Sequence, residues 1–99
     1  MNTYNEQNEF QQERFLPTRY DDFFDPRHTA LDIAAAVTGS HTLLSRHIWR
    51  KRLEAIGEET FRDILFLFWS DLKAGESVRS RARVLTARLN KAVTRLGHP

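Results

Sequence analysis

Three clustered aspartates (Asp21, Asp22, Asp25) and four histidines (His28, His41, His47, His98) are the side chains of this 99-residue sequence best suited to hold a metal ion. Their spacing argues against it. No two histidines stand four apart on one helix face, and no pair falls into a recognised ligand spacing. His28 and Asp32, at i and i+4, fit a surface hydrogen bond instead. The chain has no cysteine, which removes disulfides, thiolate metal sites and cysteine nucleophiles. Its four glycines, at 39, 57, 75 and 97, are too dispersed to cradle a phosphate or form a nucleophile elbow, and read as helix stops. With no catalytic constellation, the residues predict a binding module without metal or cofactor rather than an enzyme.

The segment Asp21-Asp22-Phe23-Phe24-Asp25 resembles the aspartate-rich magnesium motif of terpenoid synthases. That resemblance implies carboxylates around diphosphate-bound magnesium and a deep apolar cavity. A chain of 99 residues is too short for such a cavity, and no second metal motif follows. Pro26 directly after Asp25 suits the first position of a helix capped by that aspartate. The acidic run is expected to be a turn ending in a cap.

Charge is more informative by location. Residues 1–38 carry a net −4, residues 39–76 balance, and residues 77–99 carry +6 with no acid at all. Such polarity suits a chain that meets a polyanion or folds against itself. Twelve of the fifteen cations are arginine, whose planar fork pairs phosphate bidentately. Codon composition alone gives the same bias.

These groups must be positioned by helices. The size allows one domain. Residues 1–14, polar and without a sustained period, read as a flexible tail ahead of a single helical domain over 15–99. Aromatics between Phe15 and Phe24 are expected to lie across the core. A first helix is predicted from Asp25 and Pro26, with Ala30, Leu31, Ile33, Ala34 and Val37 as its stripe and Gly39 as its stop. Ser40 would cap a second helix to about Ile56, with Leu44, Ile48, Trp49, Leu53 and Ile56 inward. Glu58 and Glu59 open a third, in which Phe61, Ile64, Leu65, Phe68 and Leu72 recur with helical period and the remaining faces are almost as apolar. It should be the central helix of the core. A fourth helix after Ser77 places Val78, Ala82, Leu85, Leu89, Val93 and Leu96 in one arc. Arg81, Arg88 and Arg95 recur every seven residues beside that arc, with Lys91 nearby and Arg79 and Arg83 on the other flank. The fold expected is an all-α compact bundle of four main helices.

The stretch Leu31 to Ile48, LDIAAAVTGSHTLLSRHI, resembles the helix-turn-helix of bacterial DNA-binding proteins. The resemblance implies that Ala35 lets two helices approach and Gly39 makes the turn, although Ser40 replaces the usual apolar residue after the glycine. It makes Thr42, Ser45 and Arg46 base readers, with Arg50 and Lys51 toward phosphates. More loosely, Val78 to Leu89 resembles the terminal helix of plasmid and phage replication-initiation proteins. There Ser80 and Arg81 stand where that family has Asn-Pro, and Val84 stands where it has tyrosine.

Together these features predict a nucleic-acid-binding domain, with DNA favoured over RNA, that is an accessory in replication or transcription. Its contacts would come from Thr42, Ser45, Arg46, Arg50 and Lys51, and from Arg79, Arg81, Arg88, Lys91 and Arg95. The alternative is a protein-interaction or self-association domain without nucleic-acid binding, whose acidic front and basic back dock partners or copies of itself. A competing account of the basic flank pairs Arg81, Arg88 and Arg95 with the acidic N-terminal third, Asp21, Asp22 and Asp25 included. No membrane partner is expected: the longest apolar run, Ile64 to Trp69, is six residues, against roughly 20 for a span, and the apolar arc of the fourth helix holds Val, Ala and Leu but no Trp or Phe. Met1 to Phe10 lack a basic stretch followed by an apolar one, which predicts an intracellular protein, cytoplasmic or nucleoid-associated.

Overall fold

The structure, a computed structural model, describes residues 15–96. The tail expected over 1–14 lies outside the described residues, as does His98. What is described is an all-α bundle of four helices with no strand: α1 (Ala30–Thr38), α2 (Leu43–Ile56), α3 (Glu58–Lys73) and α4 (Arg81–Leu96), preceded by a 3-10 turn at Tyr20–Phe24. None of the described helices is long and apolar enough to cross a membrane.

The first helix starts later than its proline suggests. Asp25 commits its carboxylate two residues on, accepting from the Arg27 N–H at 2.9 Å, and its carbonyl accepts from the His28 N–H at 3.1 Å. Pro26 thus sits inside a tight turn, where its fixed φ is equally at home. Thr29 is the real cap of α1, its hydroxyl accepting from the Asp32 N–H at 3.1 Å. At the other end Gly39 takes φ +77°, and its N–H donates to the Ala35 carbonyl at 2.7 Å.

Two further caps move in the same way. Thr42, not Ser40, caps α2 by accepting from the Ser45 N–H at 3.1 Å. Ser80, not Ser77, opens α4 by accepting from the Arg83 N–H at 3.3 Å. Between α2 and α3 a single residue suffices. Gly57, at φ +92° and ψ 157°, both ends one helix and begins the next, a conformation open almost only to glycine.

Phe23, Ile33, Trp49, Phe61, Leu65, Phe68, Leu85 and Leu89 are fully buried together. Helix α3 touches the other three helices and the 3-10 turn, which makes it the central element. Four apolar positions differ from expectation. Leu44 is 68% exposed, because the first turn of α2 projects past the end of the core. Leu67 faces outward from α3. On α4 the buried set is Leu85, Leu89 and Ala92, while Leu96 is exposed and Val78 precedes the helix.

Arg62 ties the N-terminal strap, residues 15–29 ahead of α1, to α3. Only 6% exposed, its guanidinium donates to the carbonyls of Phe23 (3.0 Å), Asp25 (3.3 Å) and His28 (2.8 Å). It also pairs with Glu58 at 2.7 Å.

Candidate nucleic-acid interface

Helices α2 and α4 share the most extensive helix–helix contact of the bundle. Two cross-helix bonds set their register. Trp49 Nε1 donates to Thr86 Oγ1 at 3.0 Å, and Arg52 Nε donates to Asn90 Oδ1 at 2.8 Å. Residue numbers rise together along both helices, so α2 and α4 run parallel. Arg52 also donates to the Ile48 carbonyl at 2.9 Å. Beside these bonds lies a recess of about 150 Å³ between the helices, lined by Lys51, Arg52, Ala55, Asn90 and Val93.

The residues expected to read bases are largely occupied in building the hairpin. Thr42 is the cap of α2. Ser45 Oγ lies 2.7 Å from Ser40 Oγ and accepts from the Thr42 hydroxyl at 3.1 Å. Arg46 pairs with Asp32 at 2.7 Å across the α1–α2 hairpin. Partial burial works against the Asp32 carboxylate, but hydrogen bonds from Arg46 and Thr29 outweigh it and hold its pKa below the usual range. Arg50 and Lys51 are exposed on α2, where phosphate contacts were expected.

The seven-residue row on α4 does not form one track. Seven residues fall only about 20° short of two full turns, so the three lie close to one line, and what separates them is what each one meets. Arg81 reaches the Val37 carbonyl at 3.4 Å. Arg88 pairs with Asp71 at 2.7 Å and Glu76 at 3.3 Å, and its guanidinium lies 5.3 Å over the Phe68 ring. Arg95 is exposed. Neither a free phosphate track nor the expected pairing with Asp21, Asp22 and Asp25 describes this flank. Asp22 caps its own turn, accepting from the N–H groups of Thr18 (2.8 Å) and Arg19 (3.2 Å), and Asp25 pairs with Arg27 at 2.8 Å.

The outward face of α4 is a different row. Arg83, Ala87, Lys91 and Arg95, four apart, are all exposed, as are Asn90 and Thr94. Arg79 is exposed just before the helix. No acid occurs after Glu76, so nothing on this helix opposes the charge. Arg83 and Arg52 belong to this surface and were missing from the expected contacts. No spacing in the sequence singled them out, since a row by fours turns about 40° per step and strays further round a helix than a row by sevens.

The acidic run and the histidines carry no metal geometry: among the described residues no group of three or more His, Asp or Glu converges. His28 stacks on Phe15, with ring centroids 3.8 Å apart, rather than serving Asp32. Comparison of the chain with protein-family models, with curated proteins and with solved structures finds no match.

Proposed function

We propose that this domain binds nucleic acid, DNA over RNA, as an accessory in replication or transcription, through the joined outer faces of α2 and α4. The observation that carries this reading is the exposed row Arg83, Lys91 and Arg95 on the acid-free helix α4, with Lys51 and Arg52 at the recess where α2 meets α4. Ala87 and Thr94 are the small residues between those cations, and they leave a phosphate backbone room to approach. Because Thr42, Ser45 and Arg46 are engaged within the hairpin, binding is expected to be mainly electrostatic and tolerant of sequence.

The test is fluorescence anisotropy with random duplex DNA, single-stranded DNA and RNA across a salt series. Each phosphate neutralised contributes about −0.9 to the slope of log affinity against log salt. Replacing Arg83, Lys91 and Arg95 by glutamine should weaken binding to all sequences alike and flatten the slope by as much as about 2.7. Glutamine at Arg81 and Arg88 should leave the slope nearly unchanged. An unaltered slope in the first variant, with folding intact, would sink the proposal.

A protein partner is the second reading, and one feature favours it. Tyr20 is half-exposed and meets Phe66 edge-on at 4.8 Å, in a cluster with Phe24 and Trp69. A sharp dimer in sizing at high salt, with no DNA shift, would support that reading over the first.

A further inference from the structure

We infer that the recess between α2 and α4 is a site for a single phosphate group, held by Arg52, Lys51 and Asn90. This rests on the nucleic-acid reading for the strand that carries the phosphate, and it names the group that is held. The recess measures about 150 Å³ and is lined by Lys51, Arg52, Ala55, Asn90 and Val93. Sites that take whole small molecules run to roughly 300–1,000 Å³, so this one has room for a group rather than a molecule. Its donors are placed before any ligand arrives. Arg52 Nε donates to Asn90 Oδ1 at 2.8 Å, and Arg52 Nη1 donates to the Ile48 carbonyl at 2.9 Å. These bonds spend two of the five N–H donors of a guanidinium. On Asn90 they spend the oxygen alone, and the NH₂ of the carboxamide remains to donate. A fork already held in place loses little freedom on binding.

The charge around the recess selects an anion. None of its lining residues is acidic, and α4 carries no acid at all. Glu54, beside Ala55 in the chain, lies about 100° round the helix from it and does not line the recess. Lys51 adds an exposed ammonium. Guanidinium, ammonium and amide therefore all donate, while the one side-chain acceptor, Asn90 Oδ1, is already taken by Arg52. A phosphate presents oxygens in several directions and can meet all three donors; a carboxylate presents its two in one plane. A second, open recess of about 620 Å³ shares Asn90 and is lined also by Ala87, Lys91, Thr94 and Arg95. It is large enough for the nucleoside to which the phosphate is attached.

The experiment is an NMR titration of the full chain at constant ionic strength, following the Arg52 Nε–H and Asn90 NH₂ signals. Inorganic phosphate should move both saturably, and a nucleoside 5′-monophosphate should do so at lower concentration. Arg52→Gln should weaken phosphate binding about tenfold. Because that change also removes the bond to Asn90, Lys51→Gln is the second variant, an exposed charge whose loss leaves the fold intact. It should weaken binding about threefold. Replacing Arg83, Lys91 and Arg95 by glutamine should leave inorganic phosphate binding nearly unchanged, since none of them lines the smaller recess. If acetate moves the two signals as phosphate does, the recess is a general anion site open to acidic peptides, and the proposal falls. It falls too if neither anion moves them, and salt-dependent DNA binding through the outer row can then still stand. If phosphate binds and no nucleic acid does, the recess stands and the nucleic-acid reading falls.

Discussion

At the scale of single residues, the strongest constraint is Arg62. A buried guanidinium with four acceptors around it is stable only while all of them are present, and removing it strands the Phe23 and His28 carbonyls. Arg62→Met should therefore cost about 2–4 kcal/mol in a denaturant or thermal melt. Arg62→Lys should recover little of that, because an ammonium cannot reach carbonyls spread over Phe23, Asp25 and His28 in the geometry a planar fork allows. A loss below about 1 kcal/mol would show that Phe23 alone secures the strap. Nearby, the Arg27 side chain, and next its backbone N–H, hold the Asp25 carboxyl down at about 2. A depressed carboxylate contributes stability that is present above its unfolded pKa and lost as pH falls through the folded value. The stability gap between the parent and Asp25→Asn should thus be constant near neutrality and close as pH drops from about 4 toward 2. A gap that persists at the acid end would mean the turn does not depend on the charge.

At the scale of elements, the α1–α2 hairpin and helix α3 make different demands. A Cβ built at Gly39 would meet nothing within 4 Å, so the cost of a side chain there is backbone strain alone. Gly39→Val should lose about 1–2 kcal/mol, while Gly39→Asn, which tolerates the left-handed region, should lose less. Equal melting of glycine, asparagine and valine forms would show that the turn relaxes elsewhere. Phe68, by contrast, is fully buried on the central helix, with the Arg88 guanidinium over its ring. Phe68→Ala should cost about 3–5 kcal/mol through lost burial and a residual cavity. A loss below about 1 kcal/mol would contradict the burial of α3.

At the scale of the whole molecule, charge divides into cations that hold the bundle and cations that face outward. Arg46, Arg62, Arg81 and Arg88 each bond to another element. Arg79, Arg83, Lys91 and Arg95, with Arg50 and Lys51 on α2, form the outward set. Arg88→Gln should cost up to about 1 kcal/mol, since its carboxylate partners are about half exposed and screened by solvent. Its effect on the salt slope of any nucleic-acid binding should be nearly nil. The reverse pattern, stability unchanged and slope reduced, would assign Arg88 to the outward set.

How far this division was legible before the fold depends on the range of each interaction. The four helices, the stops at Gly39, Gly57 and Gly75, and the centrality of α3 were readable because helical period and glycine backbone preference act within a few residues. Cap positions shifted by two to four residues because Asp25, Ser40 and Ser77 compete with Thr29, Thr42 and Ser80 for the same kind of local bond, and packing decides which wins. The sorting of the arginines was not readable. Arg88 finds Glu76 twelve positions away, and Arg62 finds the Phe23 carbonyl 39 away. Such pairs exist only once helices are laid side by side, which brings Asp71 and Glu76 to Arg88 and leaves Arg95 in solvent.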